Sequence, residues 1–126
     1  MDKYELTIKI DKLDKLVKNR DYVNAAKVAD QLEWKKMKQW SVMSNAIDAF
    51  VATENYEKAR NVCVYAYNRK LGGRRLLATL MEMYVKLEEF DDAQEIYQEY
   101  VELAPRDVTG FILLYKLRRA QGAPVE

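Results

Sequence analysis

The sequence predicts an all-α fold: a right-handed α-solenoid of antiparallel helix pairs, with about three repeats and one additional C-terminal helix. Three observations carry this expectation. Ala25, Ala59 and Ala93 stand 34 residues apart, and the aromatic three residues before each (Tyr22, Tyr56, Phe90) repeats at the same interval. Apolar residues recur at threes and fours, as in Leu76, Leu77, Leu80, Met81, Tyr84 and Leu87, and again in Phe90, Ala93, Ile96, Tyr97, Tyr100 and Val101. The composition, with four Gly and two Pro in 126 residues, 49% hydrophobic and 33% charged, suits helices joined by short loops. A fixed period of this length marks a stack of like supersecondary units.

The elements can be taken in order. The first pair is expected at 4–19 and 22–35, the second at 40–53 and 56–70, the third at 74–87 and 90–103, with a lone helix at 108–120. The chain 1–126 then reads as one domain with repeats at 4–37, 40–73 and 74–107 and a partial fourth unit at 108–126. Lys9 and Lys12 stand where the later first helices are apolar, which suits a terminal helix with one solvated face. Each second helix opens on its aromatic: Asp21-Tyr22-Val23-Asn24-Ala25, Asn55-Tyr56-Glu57-Lys58-Ala59 and Glu89-Phe90-Asp91-Asp92-Ala93. In the third pair, Asp91 and Asp92 place acids in a first turn, where they complement the helix dipole. Ala104-Pro105 ends that helix, and Asp107 offers an N-cap for the next. The alanine lets the two helices of a pair approach to about 8–10 Å, and the aromatic covers its end.

The C-terminal part continues the period. Phe111, Leu114 and Gly122 fall 34 residues after Leu77, Leu80 and Glu88. Gly122 then stands at the turn between helices, and Pro124 suits the first turn of a further helix. Leu113, Leu114 and Leu117 make helix 108–120 more apolar than a polar end cap, so the sequence reads as part of a longer repeat array.

These residues resemble the tetratricopeptide repeat family, whose motif is W-x2-L-G-x2-Y…A-x3-F…P. The third unit carries the resemblance best. Leu77 stands for the Trp, Leu80 for the Leu, Tyr84 for the Tyr, Ala93 for the Ala, Tyr97 for the Phe and Pro105 for the Pro, while Met81 replaces the Gly. The second unit matches through Met43, Ala46, Phe50, Ala59 and Cys63, with Leu71 at the proline's place. The first retains Leu16, Ala25 and Ala29. The resemblance implies a non-catalytic protein-binding scaffold whose first helices line a concave groove.

Several chemistries are argued down by composition. The chain has no His, which removes His-based triads, histidine metal sites and a Cys–His pair. Cys63 falls in register with Ala29 and Tyr97, the place of a buried structural thiol rather than a nucleophile. Gly72-Gly73 joins two units and lacks the context of a phosphate-binding loop. Glu88, Glu89, Asp91 and Asp92 lack the spacing and central glycine of a calcium loop. Neither an enzyme activity nor a metal or cofactor is expected. Net charge is +1, with no global excess of positive charge to argue for nucleic acid. The sequence shows no secretory signal pattern and no apolar run of a membrane span's length, and a single Cys fits a reducing compartment; a cytoplasmic location is expected.

Two sets of residues are candidates for binding. Asp14, Asp48 and Glu82 repeat at 34 on the first helices, with Lys116 at the fourth step ending the stripe. Ser44, Asn45, Ala78 and Thr79 are expected on the same face, and Arg75 with them. An extended peptide rises about 3.3 Å per residue, so a partner segment with Lys or Arg at every third position would match acids about 10 Å apart. The resemblance also brings in a clamp by which some family members hold the C-terminal carboxylate of chaperone tails. Asn45 and Arg75 stand at two of its places, but Ile10, Asp14 and Thr79 stand where it has Lys, Asn and a basic residue. A carboxylate tail therefore has the wrong charge for this groove.

The second set is basic: Lys35, Lys36 and Lys38, then Arg69 and Lys70, with Arg74, Arg75 and Arg106 at linkers and Trp34 and Trp40 beside the first cluster. It offers an alternative function, tethering to nucleic acid or an anionic membrane. Its bland counterpart is that cations satisfy helix C-termini and the Trp residues seal a joint. Pentatricopeptide RNA readers share the helical-pair shape, but their period is one residue longer, and an acidic groove repels phosphate. A third alternative is a structural segment that self-associates. The leading expectation is a scaffold that receives a peptide or helix of another protein in a mildly acidic groove at Asp14, Ser44, Asn45, Asp48, Arg75, Thr79, Glu82 and Lys116.

Overall fold

Four left-handed positions of the chain recur at the same interval as its alanines. The computed structural model describes residues 2–122, and those residues form seven α-helices and one 3-10 turn. The helices are α1 (Lys3–Lys18), α2 (Tyr22–Ala29), α3 (Trp40–Ala52), α4 (Tyr56–Asn68), α5 (Gly73–Lys86), α6 (Phe90–Leu103) and α7 (Val108–Ala120), with the 3-10 turn at Trp34–Lys36. Arg20, Glu54, Glu88 and Gly122 take φ values of 58°, 60°, 59° and 77°. Each of the first three closes a Schellman turn, in which the next residue's N–H reaches back five residues: Asp21 to Leu16 at 2.9 Å, Asn55 to Phe50 at 2.8 Å and Glu89 to Tyr84 at 2.8 Å. The following helix then starts at once, and the N–H groups of Ala25, Ala59 and Ala93 bond to the carbonyls of Asp21, Asn55 and Glu89. Gly122 thus takes the turn expected of it, whereas Pro124 lies outside the described residues.

A left-handed backbone suits glycine, and only the fourth turn has one. Glu88 is exposed and makes no side-chain hydrogen bond or ion pair among the described residues. Glu88→Gly is therefore expected to stabilise the protein by about 0.5–1 kcal/mol, the steric cost relieved less the entropy that glycine adds to the unfolded chain. Thermal unfolding checks this, and a melt that fails to rise would show that the turn stores no strain.

The helices pack as two compact units, Met1–Arg69 and Lys70–Glu126. In the first, α1 packs on α2 and α3, α2 on α3, and α3 on α4. In the second, α5 packs on α6, and α7 contacts both. Ala25, Ala59 and Ala93 are fully buried, as a small residue at the closest approach of two helices should be. Leu13, Met43 and Phe50 fill the first unit beside Ala25 and Ala59, while Leu76, Leu80, Leu113 and Leu117 fill the second.

One helix departs from expectation. The second helix of the first pair ends at Ala29 rather than near residue 35. The Trp34 indole N–H donates to the Ala29 carbonyl at 2.9 Å, satisfying a helix-end acceptor from five residues away. Leu32 and Met37 turn inward and are buried, so the segment gains a small core of its own in place of another helical turn. The remaining boundaries agree with the expected ones to within two residues.

Candidate functional site

In the first unit, α1 supplies Asp14 and α3 supplies Ser44, Asn45 and Asp48, all half-buried. Asp14 lies four residues before Lys18, one helical turn, so the two side chains meet: Lys18 Nζ is 2.8 Å from Asp14 Oδ2. From α3, Asn45 Nδ2 donates to Asp14 Oδ1 at 3.2 Å. Both oxygens of the carboxylate are thus engaged. The hydrogen bond from Lys18, followed by that from Asn45, holds the Asp14 carboxyl below the usual carboxylate range, and the same bond raises Lys18. Asp14 is an ionised carboxylate at neutral pH and keeps 42% of its side chain exposed.

In the second unit, α5 supplies Arg75, Thr79 and Glu82, and α7 supplies Lys116. The Thr79 hydroxyl donates to the Arg75 carbonyl at 3.1 Å, a bond within the helix that uses its proton. Glu82 and Lys116, one repeat apart in sequence, form an ion pair at 2.9 Å. That pair borders a pocket of about 360 Å3 whose apolar wall includes Met81, Val85, Leu113 and Ala120. Lys116 therefore neutralises Glu82. The Ser44 and Arg75 side chains make no hydrogen bond or ion pair among the described residues.

The basic residues are placed by local structure. The Arg69 guanidinium donates to the Lys35 carbonyl and, at 3.1 Å, to the Tyr65 carbonyl, so it fastens the loop after α2 to α4. Arg74 Nη1 pairs with Asp107 Oδ2 at 3.2 Å. Lys36 lies 3.5 Å from Glu33 in an exposed pair. Trp34 is used at the helix end. Among the described residues no group of acids and cysteine is arranged to hold a metal ion, and no helix is long and apolar enough to cross a membrane. Cys63 is free and fully buried, and burial pushes its thiol up to about 12, far from nucleophilic poise.

Sequence reasoning missed one constellation. The Tyr100 hydroxyl donates to Asp107 Oδ2 at 2.9 Å, while Asp107 Oδ1 accepts from the Thr109 backbone N–H at 2.9 Å. With Arg74 on the same carboxylate, one acid links α5, α6 and the start of α7. The backbone bond to Thr109, then the Tyr100 hydroxyl, hold the Asp107 carboxyl below its ordinary value, and the Arg74 charge adds to this. The N-cap role of Asp107 was legible in the sequence; its two side-chain partners lie 7 and 33 residues away and left no local signal.

No family model and no curated protein matches the chain. Solved structures do. The second TPR domain of the human RPAP3 protein, in complex with the HSP70 peptide SGPTIEEVD, superposes with a TM-score of 0.70 at 16% identity, covering 87% of this chain and 92% of that one. The first TPR of Spaghetti (RPAP3), bound to the HSP90 peptide SRMEEVD, reaches a TM-score of 0.71 at 16% identity over 98% of both chains. The chain has the tetratricopeptide repeat fold. The expected all-α helical repeat is therefore the observed one, and the tetratricopeptide repeat accounts for the fully buried alanines and for the turns spaced at the same period. At this identity the likeness extends to the fold alone.

Proposed function

We propose that the chain is a non-catalytic protein-interaction scaffold whose first helices receive a basic segment of a partner protein. The fold supports the class, since both RPAP3 domains hold peptides in their structures. The observation that carries the sign of the partner is Asp14. It stands where a carboxylate-binding clamp has a neutral Asn, it is ionised, and it engages Asn45, the residue such a clamp would use. Glu82 adds a second half-exposed carboxylate in the other unit. Lys18 and Lys116 are exposed counter-cations, and a partner's Lys or Arg can exchange with them at little net cost, because exposed pairs contribute only about 0–1 kcal/mol. A cytoplasmic setting fits the single reduced thiol, Cys63.

A second reading comes from the complexes of the RPAP3 domains, whose peptides end in EEVD and are acidic. Arg75, exposed and without a side-chain partner among the described residues, is the group here that favours it. The basic tethering alternative is weakened by Arg69 and Arg74, which serve internal bonds.

Fluorescence anisotropy with two labelled peptides separates the readings: one with Lys at every third position, the other SRMEEVD. The lysine peptide is expected to bind in a salt-sensitive manner and to lose at least about tenfold in affinity to the Asp14→Lys/Asp48→Lys/Glu82→Lys chain. Binding of SRMEEVD alone, lost on Arg75→Glu, would replace this reading with the second.

A further inference from the structure

We infer that the space beside the shortened end of α2 is a second binding site, which takes an aromatic side chain of a partner protein with acidic residues next to it in sequence. α2, α4 and α6 open in register, but α2 stops after 8 residues where the other two run for 13 and 14. The segment that leaves α2 early lines one side of a pocket of about 400 Å3, and a face of α4 that includes Val62 and Tyr65 lines the other. The rings of Trp34, Phe50 and Tyr65 form most of its apolar wall. Two ties fasten the segment to α4: Lys58 pairs with Asp30 at 2.9 Å, and the Arg69 guanidinium holds the Lys35 carbonyl. Residues 58 and 69 stand about 16 Å apart along a helix axis, and Val62 and Tyr65 lie between them in sequence. The site is therefore framed before any ligand arrives.

The repeat supplies no further element for this space. All the lining residues lie between Asp30 and Tyr65, inside the first unit. The helices that pack on α2 are α1 and α3, the one that packs on the 3-10 turn is α4, and all three are in place. A longer α2 is the remaining occupant, but residues 30–36 are described and line the pocket instead of filling it.

The walls select the anchor. The Trp34 indole N–H is committed to the Ala29 carbonyl, so this residue offers ring surface alone. Phe50 and Val62, each 1% exposed, give an apolar floor. Such a seat suits a ring that stacks offset or edge-to-face. Charge selects the neighbours of that ring. The rim carries three lysines and two acids. Asp30 pairs with Lys58 and Glu33 with Lys36, which leaves Lys35 exposed and without an acidic partner among the described residues. The half-buried Tyr65 hydroxyl makes no hydrogen bond among them either, and is a donor for a carboxylate. The ring seat is buried and Lys35 is exposed, so ring and carboxylate are wanted at different depths, as on neighbouring residues of a peptide. A nucleic acid also combines rings with anions, but its phosphates would meet Asp30 and Glu33, and one uncompensated lysine holds little backbone charge. The site draws on α4 and the loop after α2 and prefers the opposite charge to Asp14, so it stands independently of the groove.

The test uses the intact 126-residue chain and a fluorescein-labelled peptide, GDEFDEG, read by anisotropy. Binding is expected, weakening with salt, and the analogue GDEADEG should bind at least about tenfold more weakly, as for a central anchor. Tyr65→Ala should reduce affinity for GDEFDEG to a similar extent. Lys35→Glu should weaken it too and flatten its salt dependence. Only the carbonyl of Lys35 serves the tie to Arg69, so this exposed variant keeps the test decisive if Tyr65→Ala misfolds by circular dichroism. The proposal is overturned by no binding at about 1 mM peptide, the limit of a specific contact, by equal binding of GDEADEG, or by affinity that both variants retain. Loss on Arg75→Glu would put the peptide in the groove and overturn it as well. So would three other occupants: phenylacetate binding as tightly as the peptide, a thymidine oligonucleotide binding more tightly, or a sedimenting dimer that Tyr65→Ala dissociates.

Discussion

Replacing Tyr100 by Ala is expected to cost about 3–5 kcal/mol, the range for deleting a buried aromatic, and to free α7 before any other helix of its unit. The side chain is 2% exposed at the end of α6. Its hydroxyl reaches Asp107, and its ring lies beside Gly110. Truncation therefore removes packing from the first turn of α7 and a donor from the residue that caps it. Tyr100→Phe retains the ring and loses only the hydroxyl, for about 0.5–1.5 kcal/mol, the net value of a hydrogen bond. Chemical denaturation measures both, and amide exchange along Val108–Ala120 locates the loss. An Ala variant no less stable than the Phe variant would show that the ring does no packing, and uniform exchange across the unit would show that Tyr100 is not specific to α7.

Ala59→Leu is the second large effect, expected to cost about 1–3 kcal/mol through overpacking and to lower the melting temperature by several degrees. Ala59 is fully buried on α4, which packs on α3. Asn61→Leu, two residues on and exposed, is the control for adding a leucine to the same helix. If both variants melt alike, the small residue is not what sets the helix spacing, and the meaning given to the period fails with it.

The same logic decides which features were legible in the sequence. The alanines and their aromatics could be read because close helix packing tolerates few side chains at those places, and a constraint that recurs leaves a period. The turns could be placed but not characterised: Arg20, Glu54 and Glu88 take a left-handed backbone without the glycine that would announce it. The end of α2 was misjudged because its cap comes from an indole folded back across a loop, which no local pattern encodes. At the candidate faces, the Asp14–Lys18 pair follows from helical spacing alone. The Asn45 and Lys116 bonds required knowing which helices are neighbours. Surface side chains answer to partners rather than to packing, so the period that Asp14, Asp48 and Glu82 share does not say which bonds they make.

Tyr100 and Gly110 also bear on how the chain can be rearranged. A Cβ at Gly110 would sit 3.7 Å from the Tyr100 ring, an ordinary contact, but any longer side chain would run into it. One repeat earlier in the sequence, Ala66 stands in register with Tyr100, and Leu76 with Gly110. The third pair is thus keyed by volume to α7, the helix after it. A tandem duplication of residues 74–107 would put a leucine where the tyrosine needs a glycine. The third pair and α7 share a template with the other helices but are not interchangeable with them, because their joint is fitted by the bulk of two side chains.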